Sequence, residues 1–80
     1  MLQNGTIYIT SDLELAAFLL ARGSALLDSV REQNKTRFTL QASPEEALAY
    51  FRGEDTVSAK ALFSAWRSLR TLIEDQRRSR

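Results

Sequence analysis

Tyr8-Ile9-Thr10-Ser11-Asp12-Leu13-Glu14-Leu15-Ala16-Ala17-Phe18-Leu19-Leu20-Ala21-Arg22-Gly23 runs from an alternating stretch straight into an apolar one, with no linker between them. Residues 6–10 place Ile7 and Ile9 on one side and Thr6, Tyr8 and Thr10 on the other, which predicts a short strand with the isoleucines buried. Ser11 followed at the third position by Glu14 reads as a capping box, and Asp12 adds the negative charge that a helix N-terminus favours. A helix over 12–22 follows, closed by Gly23 with Arg22 in its last turn. Between residues 13 and 21 only Glu14 is polar, whereas a surface helix needs a polar face. This helix must therefore be covered on more than one side. Phe18 and Leu20 lie on different faces, and both are expected to be largely buried.

Working outward, residues 1–5 read as a loose start in which Asn4-Gly5 signals a turn. Residues 25–32 read as a second strand with Leu26, Asp28, Val30 and Glu32 on one face. Residues 35–42 form a clearer one, with Phe38, Leu40 and Ala42 inward and Arg37, Thr39 and Gln41 outward. Gln33-Asn34 joins the two as a hairpin turn, because asparagine tolerates positive φ. Ser43-Pro44-Glu45-Glu46 combines a serine cap, proline at the first helical position and a glutamate closing a capping box. The helix it starts ends at Gly53 and buries Ala47, Leu48 and Phe51, with Tyr50 at the margin. After the polar connection Glu54-Asp55-Thr56, Ser58 caps the last helix, and Val57 packs on Leu62 as a hydrophobic staple. Ala59, Leu62, Trp66, Leu69 and Ile73 recur at steps of three and four, opposite Lys60, Ser64, Arg67, Thr71, Glu74 and Arg78. Residues 76–80 have nothing apolar to bury and are expected to fray as a basic tail.

The element order is thus β-α-β-β-α-α, in one domain over residues 1–80, of the α+β class. A helix between the first two strands makes them point the same way, and the hairpin sends the third strand back. Placing the third strand between the other two gives a three-stranded antiparallel sheet with a right-handed crossover and helices packed on one face.

The run over residues 8–23, with Tyr8, Thr10, Asp12, Leu13, Leu15, Ala16, Ala17, Phe18 and Leu19 as its fixed points, resembles the signature of a family of small prokaryotic and viral domains of unknown function. Arg37-Phe38-Thr39-Leu40, Tyr50-Phe51-Arg52-Gly53 and Arg67-Ser68-Leu69-Arg70 fall where that family's second half puts similar residues. The resemblance implies a fold. It implies no activity, cofactor or catalytic residue.

With 80 residues and no cysteine, the chain has one small core and no disulfide to support it, so self-association is one way to gain burial. The absence of both cysteine and histidine removes the usual zinc sites, a thiol nucleophile, a histidine base and a Ser-His-Asp triad. No cofactor is expected. The carboxylates offer little in their place. Asp12, Glu14, Glu45 and Glu46 serve as caps, and Glu54-Asp55 lacks a second cluster to complete a metal site. The chain therefore reads as no enzyme. Met1-Leu2-Gln3-Asn4-Gly5 carries no positive charge and the first apolar run follows acids, so no secretory signal is expected. The run over 13–21 is too short to span a bilayer, and a cytoplasmic place is expected, without membrane partners.

Charge is uneven along the chain. Residues 1–50 carry four basic against six acidic side chains, and residues 51–80 carry seven against four. Lys60, Arg67, Arg70, Arg77 and Arg78 are the candidate contact residues, since guanidinium groups bind phosphate oxygens in pairs of hydrogen bonds. The plainer reading is a solvated helix face, with Glu74 four residues from both Arg70 and Arg78, and the isoelectric point near 8.2 falls below that of most nucleic-acid-binding domains. An aromatic platform of Trp66 and Phe63 competes with a core role, which the place of Trp66 between Leu62 and Leu69 favours. Tyr8 falls on the outer side of its strand. The leading expectation is a non-enzymatic protein-interaction module, an adaptor or inhibitor, that forms a homodimer through the last helix's stripe or the opening helix, or binds a larger protein. The alternative is a nucleic-acid accessory protein using the basic last helix.

Overall fold

The computed structural model describes residues 6–78. The expectations for residues 1–5 and 79–80 lie outside them. Three strands and three helices follow in the order β1 (Tyr8–Thr10), α1 (Leu13–Arg22), β2 (Leu26–Glu32), β3 (Lys35–Leu40), α2 (Pro44–Arg52) and α3 (Ala59–Arg78). The sheet is antiparallel throughout, in the order β1-β3-β2, so the third strand does sit between the first two.

Register decides which side chains are inside. Residues directly opposite one another in a ladder share a face. Tyr8 pairs with Leu40 and Thr10 with Phe38, and both partners on β3 are buried. Ile9 pairs with Thr39 and points away, which reverses the expected orientation of β1: Tyr8 packs against the core, while Ile7 and Ile9 are 55% and 53% exposed. In β2 a bulge falls between Leu26 and Asp28. The extra residue shifts the alternation, so Leu26 and Ser29 lie beside Leu40 and Phe38 on the inner face, while Asp28 and Val30 share the outer face with Thr39 and Arg37. The single face expected for Leu26, Asp28, Val30 and Glu32 is thereby split. The hairpin turn also differs from expectation, because Gln33 and not Asn34 takes the positive φ, at 54°. Positive φ at the first loop residue alone is the pattern of a type II′ turn, whose handedness suits strand twist.

Helix α1 begins one residue later than the capping-box reading places it. Asp12, not Ser11, is the cap, and its carboxylate accepts the N–H groups of Glu14 and Leu15 at 3.0 and 3.3 Å. Thr10 Oγ1 accepts the Asp12 N–H at 3.0 Å, and this fixes the turn from strand to helix. At the other end Gly23, at φ 112°, closes the helix, with Ser24 N–H donating to Leu19 C=O at 3.0 Å and Gly23 N–H to Leu20 C=O at 2.9 Å. Leu15, Ala16, Ala17, Phe18 and Leu19 are buried in sequence, and Leu20 is half-buried. The covering of α1 comes from the sheet on one side and from α2 and α3 on the others. The last helix thus packs directly on the opening one, and the two surfaces expected to form a dimer cover each other within the chain.

Ser43 caps α2 as expected, accepting the Glu46 N–H at 3.2 Å. The Glu46 carboxylate turns instead to Arg22 Nη1 at 3.3 Å and to the Ser24 hydroxyl at 3.4 Å. Arg22 Nε also meets Asp55 at 2.6 Å, so one guanidinium ties the end of α1 to the start of α2 and to the connection before α3. Of the expected buried side of α2, only Ala47 is buried. Leu48 and Phe51 are exposed, because the helix meets α1 through Ala47 and Tyr50, whose ring lies 5.0 Å from that of Phe18. Ser58 caps α3 through the Ala61 N–H at 3.1 Å. Its stripe is seated as expected from Leu62 through Trp66 and Leu69 to Ile73, though Ala59 is exposed. The fraying expected from residue 76 does not occur within the described part of the tail. Helix α3 continues to Arg78, because half-buried Gln76 donates to Ser29 Oγ at 2.9 Å and accepts from Thr36 Oγ1 at 3.2 Å. A polar anchor does what an apolar residue was expected to be needed for.

Candidate functional site

With helices on one face only, the other face of the sheet is uncovered. Reading across it, the ladder sets Ile9, Thr39 and Asp28 in one row, Arg37 and Val30 in the next, and Lys35 and Glu32 in the last. Val30 is 44% exposed, and Leu27 at the bulge is 50% exposed. Arg37 and Glu32 form an ion pair on this face. The hydrogen bond from Arg37 and its charge hold the Glu32 carboxyl below its usual range, and the same bond raises the Arg37 guanidinium above its own. Both groups are well solvated, so the pair orders the surface more than it stabilises the fold. A shallow depression of about 290 Å³ crosses the sheet here, lined by Ile9, Thr10, Ser11, Glu32, Lys35 and Arg37.

The second surface is the outward side of α3. Lys60, Arg67 and Arg78 are exposed on it, turned away from the seated stripe, and Arg70 and Arg77 are exposed at its edge beside the Trp66 stripe. Arg70 reaches Glu74 and Arg78 reaches Asp75, each at 3.9 Å and each pair more than half exposed. Such contacts are weak and leave the cations available. The core reading of Trp66 agrees with its packing against the buried cluster. Phe63 departs from it, because it stands 57% exposed among the basic side chains. Charge pointed to this face in the sequence, but Phe63 gave no signal of its own, since its spacing from Leu62 and Trp66 matches a core position as well as an outer one.

Other groups bring little chemistry together. The Tyr50 hydroxyl donates to Glu14 at 3.5 Å, and its pKa is raised, first by burial and then by the charges of Glu14 and Asp12. A wide depression of about 450 Å³ between α1 and α3 is lined by Leu20, Ala21, Ala61, Ser64, Ala65 and Ser68, so that among the described residues no titratable side chain lines it beside the serine hydroxyls. Among the described residues, no three metal-ligating side chains gather and no helix is long and apolar enough to cross a membrane. No family model, curated protein or solved structure matches the chain. The functional reading therefore rests on the chain's own surfaces.

Proposed function

We propose that this protein is a non-enzymatic interaction module that associates with a second copy of itself through the uncovered face of its sheet. The observation that carries the reading is the exposure of two large apolar side chains that the ladder sets on that face, Ile9 on β1 and Val30 on β2, with Ile7 and Leu27 also exposed close to them in the chain. Ile9 and Val30 flank the polar row of Thr39, Arg37 and Lys35 on the central strand, and large apolar side chains exposed on an uncovered face mark association surfaces. Charge supports a like partner. Lys35 and Arg37 are balanced on the same face by Asp28 and Glu32, so two copies do not repel each other, whereas the outward side of α3 is dominated by cations. Strands of three, seven and six residues give a flat footprint of about 250 Å². Even after allowing for surface relief, this lies at the low end of specific interfaces, so the association is expected to be micromolar or weaker and concentration-dependent.

Sedimentation velocity over a concentration series tests the proposal. The parent chain should shift from a 9.1 kDa species toward twice that mass as concentration rises, and Ile9→Lys or Val30→Lys should return it to monomer with the fold intact by circular dichroism. A parent chain that stays monomeric into the millimolar range would overturn self-association. Variants that dimerise like the parent would place the interface elsewhere.

A further inference from the structure

Helix α3 presents Phe63 with Lys60 three residues before it, Arg67 four after and Arg70 seven after, which are the spacings that share one side of a helix. The four residues span about 15 Å of helix axis. Among the described residues, neither Lys60 nor Arg67 has an acidic side chain within ion-pair distance. An exposed phenyl ring has no packing reason to sit in this strip, since the inner side of α3 is already seated through Leu62, Trp66 and Leu69.

Charge selects the occupant first. Cations predominate on the outward side of α3, so it repels a copy of itself and attracts an anion. Phe63 then selects among anions. Stacking on a phenyl ring needs a flat face free of negative charge, which a carboxylate lacks because its charge sits on the planar group and the ring face is itself negative, and the bases of a duplex are already stacked on one another. An unpaired base offers such a face, and base stacking on exposed aromatics between cations is the general mode of single-strand binding. Arginine at positions 67 and 70 adds planar forks that match phosphate oxygens. We propose that Lys60, Phe63, Arg67 and Arg70 form a binding strip for single-stranded nucleic acid, with Phe63 stacked on a base and the cations on the flanking phosphates. This strip faces away from the sheet, and the proposal stands independently of self-association.

The test is fluorescence anisotropy of a labelled oligothymidylate of about 15 nucleotides with the full chain. Three phosphate contacts give a salt slope of about −2, so affinity should fall roughly 20-fold between about 50 and 200 mM salt. Phe63→Ala should weaken binding roughly tenfold and Phe63→Trp should retain it. Phe63 is mostly solvent-exposed, so the fold should survive both changes, and circular dichroism checks this. Arg67→Glu should abolish binding. Absence of binding at low salt overturns the proposal. So does unchanged affinity in Phe63→Ala, which would mark simple polyanion attraction. Competition by polyglutamate as strong as by unlabelled oligothymidylate would overturn it in favour of an acidic protein partner.

Discussion

Gln76→Ala is the substitution on which the sequence and the structure disagree most sharply. In the fold, Gln76 Nε2 donates to Ser29 Oγ at 2.9 Å and to the Ser29 carbonyl at 3.4 Å, while its Oε1 accepts from Thr36 Oγ1 at 3.2 Å. Thr36 is only 5% exposed, so a hydroxyl that loses this acceptor has little water to turn to. A buried donor left unpaired costs about 1–3 kcal/mol, and the lost bonds to Ser29 add about 1 kcal/mol. The expected destabilisation is therefore about 2–4 kcal/mol, a large share of the roughly 3–5 kcal/mol that a core of this size supplies. Urea melts should show the midpoint falling with the slope unchanged. Adding Thr36→Val removes the orphaned hydroxyl, so the double variant should be less destabilised than the sum of the singles by about 1 kcal/mol. A Gln76→Ala midpoint within about 0.3 kcal/mol of the parent would refute the docked end of α3 and restore the frayed tail that apolar patterning suggests.

Two further substitutions test the packing. Phe18→Ala should cost about 3–5 kcal/mol in the same melts, whereas half-buried Leu20→Ala should cost no more than about 2 kcal/mol; equal losses would show that something else covers the Leu20 side of α1. Gln33→Gly should stabilise the hairpin by up to about 1 kcal/mol, because a side chain at positive φ is strained by about 1–2 kcal/mol and glycine gives back less than that in chain entropy. A lowered midpoint would mean that Gln33 is not strained in the turn.

What could be read from the sequence was what is decided locally. Ser43, Gly23, Gly53 and Ser58 act on backbone groups within a few residues, and the spacing of Leu62, Trp66, Leu69 and Ile73 is a property of one helix. Strand order was also legible, because a helix between two strands and a tight hairpin leave few arrangements. Which face of β1 is buried was not, since that depends on β3: Tyr8 and Thr10 lie inside because Leu40 and Phe38 do. The β2 bulge likewise shows only once a partner strand is present. Gln76 was missed because apolar patterning has no means of seeing a polar anchor whose partners lie 40 and 47 residues away.

The same limit shaped the reading of function. Pattern reasoning sends large apolar residues to the core, so it misplaces those that serve a surface, and Ile9, Leu48 and Phe51 were all expected inside. The basic residues of α3 were legible because charge is not a core property, yet charge alone describes a solvated face as well as a binding one. Under the proposal Phe63 separates the two cases, because an exposed ring among cations can stack on an unpaired base whereas a merely solvated face has no need of one. The sheet face and the α3 strip also point away from each other, since α1 and the inner stripe of α3 pack between them. Self-association through the sheet therefore leaves the strip of each copy open. The two surfaces should accordingly respond to different variables, the first to protein concentration and the second to salt.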